Sequence, residues 1–306
     1  MSADQVSQML DLLEVRSAVS GAFAVRGGWM TRTVIDTEMK FIAIIRGHAL
    51  LNTDDLDEPI ALLPGDVAVL NGRTWLELRG GVDAGEPVWI EPPAGTAIEP
   101  ADLTTPGTDV IVGGYVELGP AGHQFLRRTL APVSHIRAAT TSSPRIRAHI
   151  ESLLEEITTQ RIGSEFALRQ YAQLLLLDVV RAFADDPDLP AGWLKAYSDP
   201  QLRPALSLIH SQAAKPWTLD DLARACAMSR TSFADRFRMV AGTPPTAYLI
   251  QWRMLLAKRA LRSPDTRIGA VASALGYGSD SAFSTAFKKQ EGISPSQYRA
   301  QLSNTA

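Results

Sequence analysis

"ACAMSRTSFADRFR" runs from Ala225 to Arg238, and "SALGYGSDSAFSTAFKK", Ser273 to Lys289, repeats its pattern further along the chain. The stretch "LARACAMS" (222–229) aligns with "VASALGYG" (271–278) at an offset of 49, which pairs Ala223 with Ala272 and Ala227 with Gly276. Beyond it the offset is 50, pairing Phe233 with Phe283, Phe237 with Phe287, Gly242 with Gly292 and Pro245 with Pro295. The second copy therefore holds one extra residue in its turn. Each copy reads as a short helix, a turn at a small residue, and a second helix pinned by aromatics at i and i+4. What faces outward on that second helix is short, polar or basic: Arg230, Thr231, Ala234, Asp235 and Arg238 in the first copy. In the second it is Asp280, Ser281, Ser284, Thr285 and Lys288, followed by Lys289. Such a face fits a helix-turn-helix whose recognition helix enters a major groove about 12 Å wide.

Between the copies, "TAYLIQWRMLLAKRALR" (246–262) has Tyr248, Trp252, Leu255, Leu256 and Ala260 on one face, with Arg253, Lys258, Arg259 and Arg262 elsewhere. It predicts an amphipathic helix of ~16 residues, roughly 24 Å long at 1.5 Å per residue. A rod of that order can hold two recognition helices about one DNA turn, ~34 Å, apart. Charge agrees with this reading. The 306-residue chain has a formal net charge of -3, but residues 215–306 carry 13 Lys+Arg against 6 Asp+Glu. A basic end on an otherwise acidic chain implies an anionic partner, nucleic acid or a membrane surface.

Residues 205–306 resemble the DNA-binding domain of the AraC/XylS family of transcriptional regulators, most specifically in "LDDLARACAMSRTSFADRFRMVAGTPPTAYLIQWRM" and "IGAVASALGYGSDSAFSTAFKKQEGISPSQYR". The resemblance implies double-stranded DNA as partner, with base contacts from Arg230, Thr231, Ala234 and Asp235 and from Asp280, Ser281, Ser284 and Thr285. Ala234 offers only a methyl, and Asp235 either reads a cytosine amino group or repels phosphate. RNA polymerase is a further partner if the protein activates.

From Ala22 to Val116 the chain is punctuated by Gly and Pro around "FIAIIRG", "HALLN", "PIALLPGDVAVLNG", "TWLEL" and "PVWIEP", short strands suited to a sandwich or barrel. "KFIAIIRGHALL" (40–51), "LLPGDVAVLNG" (62–72) and "VGGYVEL" (112–118) resemble the cupin-type sensor domain of one AraC subgroup. This implies a small β-barrel with a pocket at its mouth. A divalent metal there needs several His with a carboxylate, but no His stands between His48 and His123, and Trp75 lies near where a ligand is expected. No metal, cofactor or catalytic residue is expected. An organic effector would rest against Trp29, Phe41, Trp75 or Trp89, with His48 nearby. The lone cysteine, Cys226, sits near helix-packing positions and reads as buried filler rather than a redox switch.

The expected architecture is α+β and multidomain: a cupin-like β-barrel sensor over 1–140, a helical dimerisation segment over 141–184, a proline-marked linker over 185–204, and an all-α double helix-turn-helix over 205–306. The segment around "LLLLDVV" (174–180) is apolar around so much of its circumference that a homodimer contact through Leu175 and Leu176 is expected. The N-terminus lacks a signal-peptide pattern and no run is long enough to span a bilayer, which predicts a cytoplasmic protein without a membrane partner. Two other readings stay open: a metal-independent cupin enzyme carrying a DNA-binding domain, and an architectural DNA-binding protein without a sensor.

Overall fold

The structure, a computed structural model, describes residues 5–13, 15–81, 86–91, 95–119, 131–138, 143–186, 189–263 and 265–305. The chain divides into two compact units: 15–118 with 130–189, and 190–306 with the helix α1 (Gln5–Leu13). Boundaries at 140 and 204 are therefore not where the fold divides.

The first unit carries two sheets. Strands β1 (Arg16–Arg26), β3 (Met39–Arg46), β6 (Val67–Asn71), β9 (Gly95–Ala97), β10 (Thr108–Glu117) and β11 (Val133–Ile136) form one, in the order β11-β6-β3-β10-β1-β9. Strands β2 (Trp29–Val34), β4 (Ala49–Thr53), β5 (Ile60–Leu62), β7 (Trp75–Gly80) and β8 (Val88–Trp89) form the other, in the order β5-β4-β7-β2-β8. Successive side chains alternate between faces. Ile42 and Ile44 of β3 thus join Trp29, Leu70, Leu76, Leu78 and Ile111 in the core between the sheets. The opposite face of the six-stranded sheet sets Ala22, Val110 and Val112 against Ile157. Covered on both sides, β6 is apolar at four of its five positions and buried at all five.

Two buried carboxylates hold the barrel's turns. Asp109 accepts hydrogen bonds from Trp29 Nε1 at 2.7 Å and from the His48 backbone N–H at 3.1 Å. Gly47, at φ 74°, precedes that contact, and a Cβ there would overlap the Asp109 carboxylate, so only glycine fits. Asp66 closes the "PGD" turn: it accepts from Leu63 N at 3.0 Å and Ala138 N at 2.7 Å and stands 2.8 Å from His135 Nε2 on β11.

Helices α2 (Ser143–Thr159) and α3 (Ser164–Ala184) complete this unit, packed on each other, with α3 also on β1. Ile146, Ile150, Leu153 and Ile157 form the buried face of α2. The broad apolar surface of α3 has a different cause from the one expected: α2 and β1 cover two of its sides. Leu175 and Leu176 are buried within their own chain, so they are core and not a free subunit contact. Asp178 is buried beside them and bound to His149 Nε2 at 3.1 Å and Arg181 Nη1 at 2.8 Å. Phe166 and Leu174 are exposed on α3, as is Ile162 in the turn before it.

The second unit is helical: α4 (Trp193–Ser198), α5 (Arg203–Ser211), α6 (Leu219–Ala225), α7 (Arg230–Ala241), α8 (Pro245–Ala260), α9 (Ile268–Ala274), α10 (Asp280–Glu291) and α11 (Pro295–Thr305). The expected linker is not one from residue 190 onward. Its prolines punctuate a short helix, α4, whose Trp193, Leu194 and Ala196 are buried, and Gly192 N donates to Val240 O at 3.0 Å. Pro204 then occupies the first turn of α5, where its missing N–H costs nothing. The N-terminal α1 packs on α8 rather than joining the barrel unit.

Candidate functional site

The repeat forms two helix-turn-helix units, α6–α7 and α9–α10, that share one set of local devices. After the first helix the chain turns at Ala227, φ 52°, and at Gly276, φ 78°. Met228 N donates to Ala223 O and Tyr277 N to Ala272 O, each at 3.0 Å, so the 49-residue offset still holds there. Ser229 and Ser279 then cap the recognition helices by accepting from Ser232 N and Ala282 N. The inserted residue is therefore Gly278. Left-handed Gly242 and Gly292 end the two helices, donating to the carbonyls of Arg238 and Lys288.

Exposure follows the same order in both units. Arg230, Thr231 and Asp235 are exposed, Ala234 is half-buried, and Phe233 and Phe237 are fully buried. Asp280, Ser281 and Thr285 are exposed, Ser284 is half-buried, and Phe283 and Phe287 are fully buried. Arg238, Lys288 and Lys289 are exposed in the last turns, where cations also suit the helix dipole. Nine of the eleven expected contact residues are thus exposed on α7 and α10, and the other two, Ala234 and Ser284, are half-buried at the equivalent position of each helix. Arg230 reaches Asp220 only at 3.8 Å, with both side chains exposed, a surface pair of about 0–1 kcal/mol that a phosphate or a base can replace.

A third aromatic completes each unit. Phe237 meets Tyr248 edge-on at 5.5 Å, and Phe287 meets Tyr298 at 5.6 Å. The two tyrosines are 50 residues apart and each lies three residues after an aligned proline, so the repeat itself carries this signal. An internal ion pair also ties down each recognition helix. Arg236 binds Asp199 at 2.8 Å, and Glu291 binds Lys258 at 3.0 Å. Lys258, expected on the free basic side of α8, is therefore buried and engaged. Arg253 is likewise occupied, donating to the carbonyls of Ala213 and Lys215. Cys226 caps α6 half-buried, and burial pushes its thiol pKa up, which disfavours a reactive thiolate.

The barrel holds a cavity of about 200 Å³ between β1, β2, β3, β7 and β10. None of the five expected pocket residues lines it. Trp29 is fully buried as core, with Gly80 leaving room for its ring. Phe41 packs over Gly114, and His48 stands in the turn fixed by Asp109. Trp75 lies under the Arg32 guanidinium at 3.9 Å, and Trp89 is exposed. Bulky aromatics fill space, so the cavity forms elsewhere. Among the described residues no three His, Cys, Asp or Glu side chains cluster as metal ligands do, and no helix is long and apolar enough to cross a membrane.

Comparison with known proteins agrees with this architecture. A cupin family pattern matches residues 4–185, and a helix-turn-helix domain pattern matches residues 222–301. A protein described as an AraC-like transcription regulator in Streptomyces antibioticus is 33% identical over 97% of this chain and 98% of its own. The HTH-type transcriptional regulator AlkR of Acinetobacter baylyi is 36% identical over 58% of each chain. Among solved structures, an AraC-type regulator of Chromobacterium violaceum matches 35% of this chain and 96% of its own, at 30% identity and a TM-score of 0.33. A cupin-type first unit joined to a duplicated helix-turn-helix, matched end to end by such a relative, places the chain in the family of AraC-like DNA-binding transcriptional regulators.

Proposed function

We propose that this regulator reads a specific operator with α7 and α10, works in the cytoplasm as a homodimer, and takes a small-molecule effector in the barrel cavity without catalysing its conversion. The observation that carries the reading is the matched exposure of two recognition helices. Each presents polar or basic side chains over a buried aromatic pin. Effector binding would shift the population of dimers that present both helix pairs to DNA. If the effect is activation, RNA polymerase is the second macromolecular partner. The exposed Phe166 and Leu174 on α3, with Ile162 before it, supply the apolar contact for the dimer in place of Leu175 and Leu176. A single monomeric species in sedimentation across the micromolar range would refute the dimer.

Selection on randomised DNA tests the operator reading. Arg230 opens α7, where a guanidinium can lie bidentate on guanine O6 and N7. Lys289 lies in the last turn of α10, within reach of backbone phosphate only. Arg230→Ala should cost about 1–3 kcal/mol on the best site and flatten preference at one base pair. Lys289→Ala should weaken all sequences alike and lower the salt slope by about one. An unchanged motif in the Arg230→Ala selection moves specificity to Thr231, the second unit or DNA shape.

A further inference from the structure

The barrel cavity exists because small residues stand where the rest of the barrel interior carries large ones. Thr31 and Thr33 follow Trp29 on the inward face of β2, and Gly113 follows Ile111 on β10. On β1 the register slips between Val19 and Gly21, an irregularity at Ser20 that breaks the ladder beside the cavity. The wall is mainly apolar, with Phe23, Ile42, Leu76 and Leu78 contributing.

Two polar groups in this wall lack what burial demands. Lys40 has the same parity on β3 as inward-facing Ile42, is half-buried at the cavity, and forms no ion pair with the described residues. Burial lowers its pKa, and the nearby Asp36 offsets that only in part. On the facing sheet, Thr31 is 3% exposed, and its Oγ1 has no hydrogen-bond partner among the described residues. A buried hydroxyl left unbonded is unfavourable, and a ligand oxygen would satisfy it.

We infer that the cavity takes a small organic monocarboxylate with a compact apolar body, its carboxylate held by Lys40 and Thr31 and its body packed against Ile42, Leu76 and Leu78. One cation matches one negative charge. A phosphate dianion would call for further cations or a cluster of backbone N–H groups, and the apolar wall supplies neither. The volume lies below the roughly 300–1,000 Å³ of sites for drug-sized ligands, which restricts the body to a short branched chain or a single ring.

The inference rests on the barrel being the effector domain, and the test separates the two. Calorimetric titration of the full chain uses 3-methylbutanoate and cyclohexanecarboxylate, each against its neutral carboxamide. Both acids should bind more tightly than their amides. Lys40→Met should lose about tenfold or more in acid affinity and nearly erase the acid-over-amide preference. Gly113→Ala provides a control for folding, because its new methyl would meet Ile42 Cδ1 at an ordinary 3.4 Å while shrinking the cavity. It should weaken both acids and amides. Absence of acid binding into the millimolar range, or equal binding of acid and amide to wild type, overturns the inference, as does unchanged acid affinity in Lys40→Met. Gel shifts on the selected operator run in parallel. Lys40-dependent acid binding that leaves DNA affinity unchanged supports the ligand class and refutes the effector role. Intact DNA binding without acid binding refutes the ligand class alone.

Discussion

The first recognition helix opens Arg-Thr-Ser and the second Asp-Ser-Ala, yet both bury phenylalanine at their fourth and eighth positions and stop at a left-handed glycine. The inward residues repeat because one packing geometry is being made twice. The outward residues have no such constraint and differ in charge at their first position. Asp280 suits the positive end of its helix but repels phosphate, whereas Arg230 opposes the dipole and attracts it, each effect being about 0.3–1 kcal/mol on the helix itself. At that residue the first unit thus gives up helix stability for attraction to an anion, and the second does the reverse.

The strongest challenge to the shared frame is to remove a pin from each unit. Phe233→Ala and Phe283→Ala should each destabilise the chain by about 3–5 kcal/mol in chemical denaturation, since both side chains are fully buried. A cost below about 1 kcal/mol in one unit alone would break the equivalence.

Acid sharpens a difference instead. His210 on α5 stacks on Trp252 at 4.1 Å and lies 2.9 Å from the Tyr248 hydroxyl, beneath the first unit. Burial lowers its pKa to about 4 from 6.5, so the fold favours the neutral ring. The unfolded chain binds the extra proton between those values. Stability from this group is therefore full above pH 6.5 and is lost as pH falls toward 4, by about 3 kcal/mol. Unfolding followed by tryptophan fluorescence should show that loss, and His210→Phe should flatten it. A wild-type profile already level over this window would remove His210 from the account.

The smallest test concerns the turns. Gly276→Ala would take a left-handed conformation and drive its methyl into the Ala214 carbonyl oxygen, costing at least about 1–2 kcal/mol. Ala227→Gly relieves the same conformation in the first turn and should gain less than about 1 kcal/mol. Thermal melts of both variants should move in opposite directions. Shifts of the same sign would mean that the two turns are not equivalent.

What was legible in the sequence follows from the same contrast. Phe, Gly and Pro at a fixed offset mark buried and turning positions, so the double unit and its outer faces could be read directly. Lys258 could not be placed, because its partner Glu291 lies 33 residues away and helical periodicity carries no trace of that pairing. The prolines after Asp186 read as a linker because local rules cannot see Trp193 and Leu194 finding a core. The cavity was missed for a different reason. A hole is made by what is small, and Gly21, Gly113 and Thr31 draw no attention beside Trp29 and Trp75.

Helix α8 belongs to both units at once. Tyr248 and Trp252 complete the aromatic core of the first, while Met254, Ala257 and the following Leu261 lie in the core of the second with Phe283 and Phe287. Its length therefore acts as a phase setting. One residue added between Trp252 and Met254 would turn everything beyond it by about 100° and advance it by 1.5 Å. The two cores could then no longer both stay registered on one helix, and the second reading head would face away from the groove that the first still addresses.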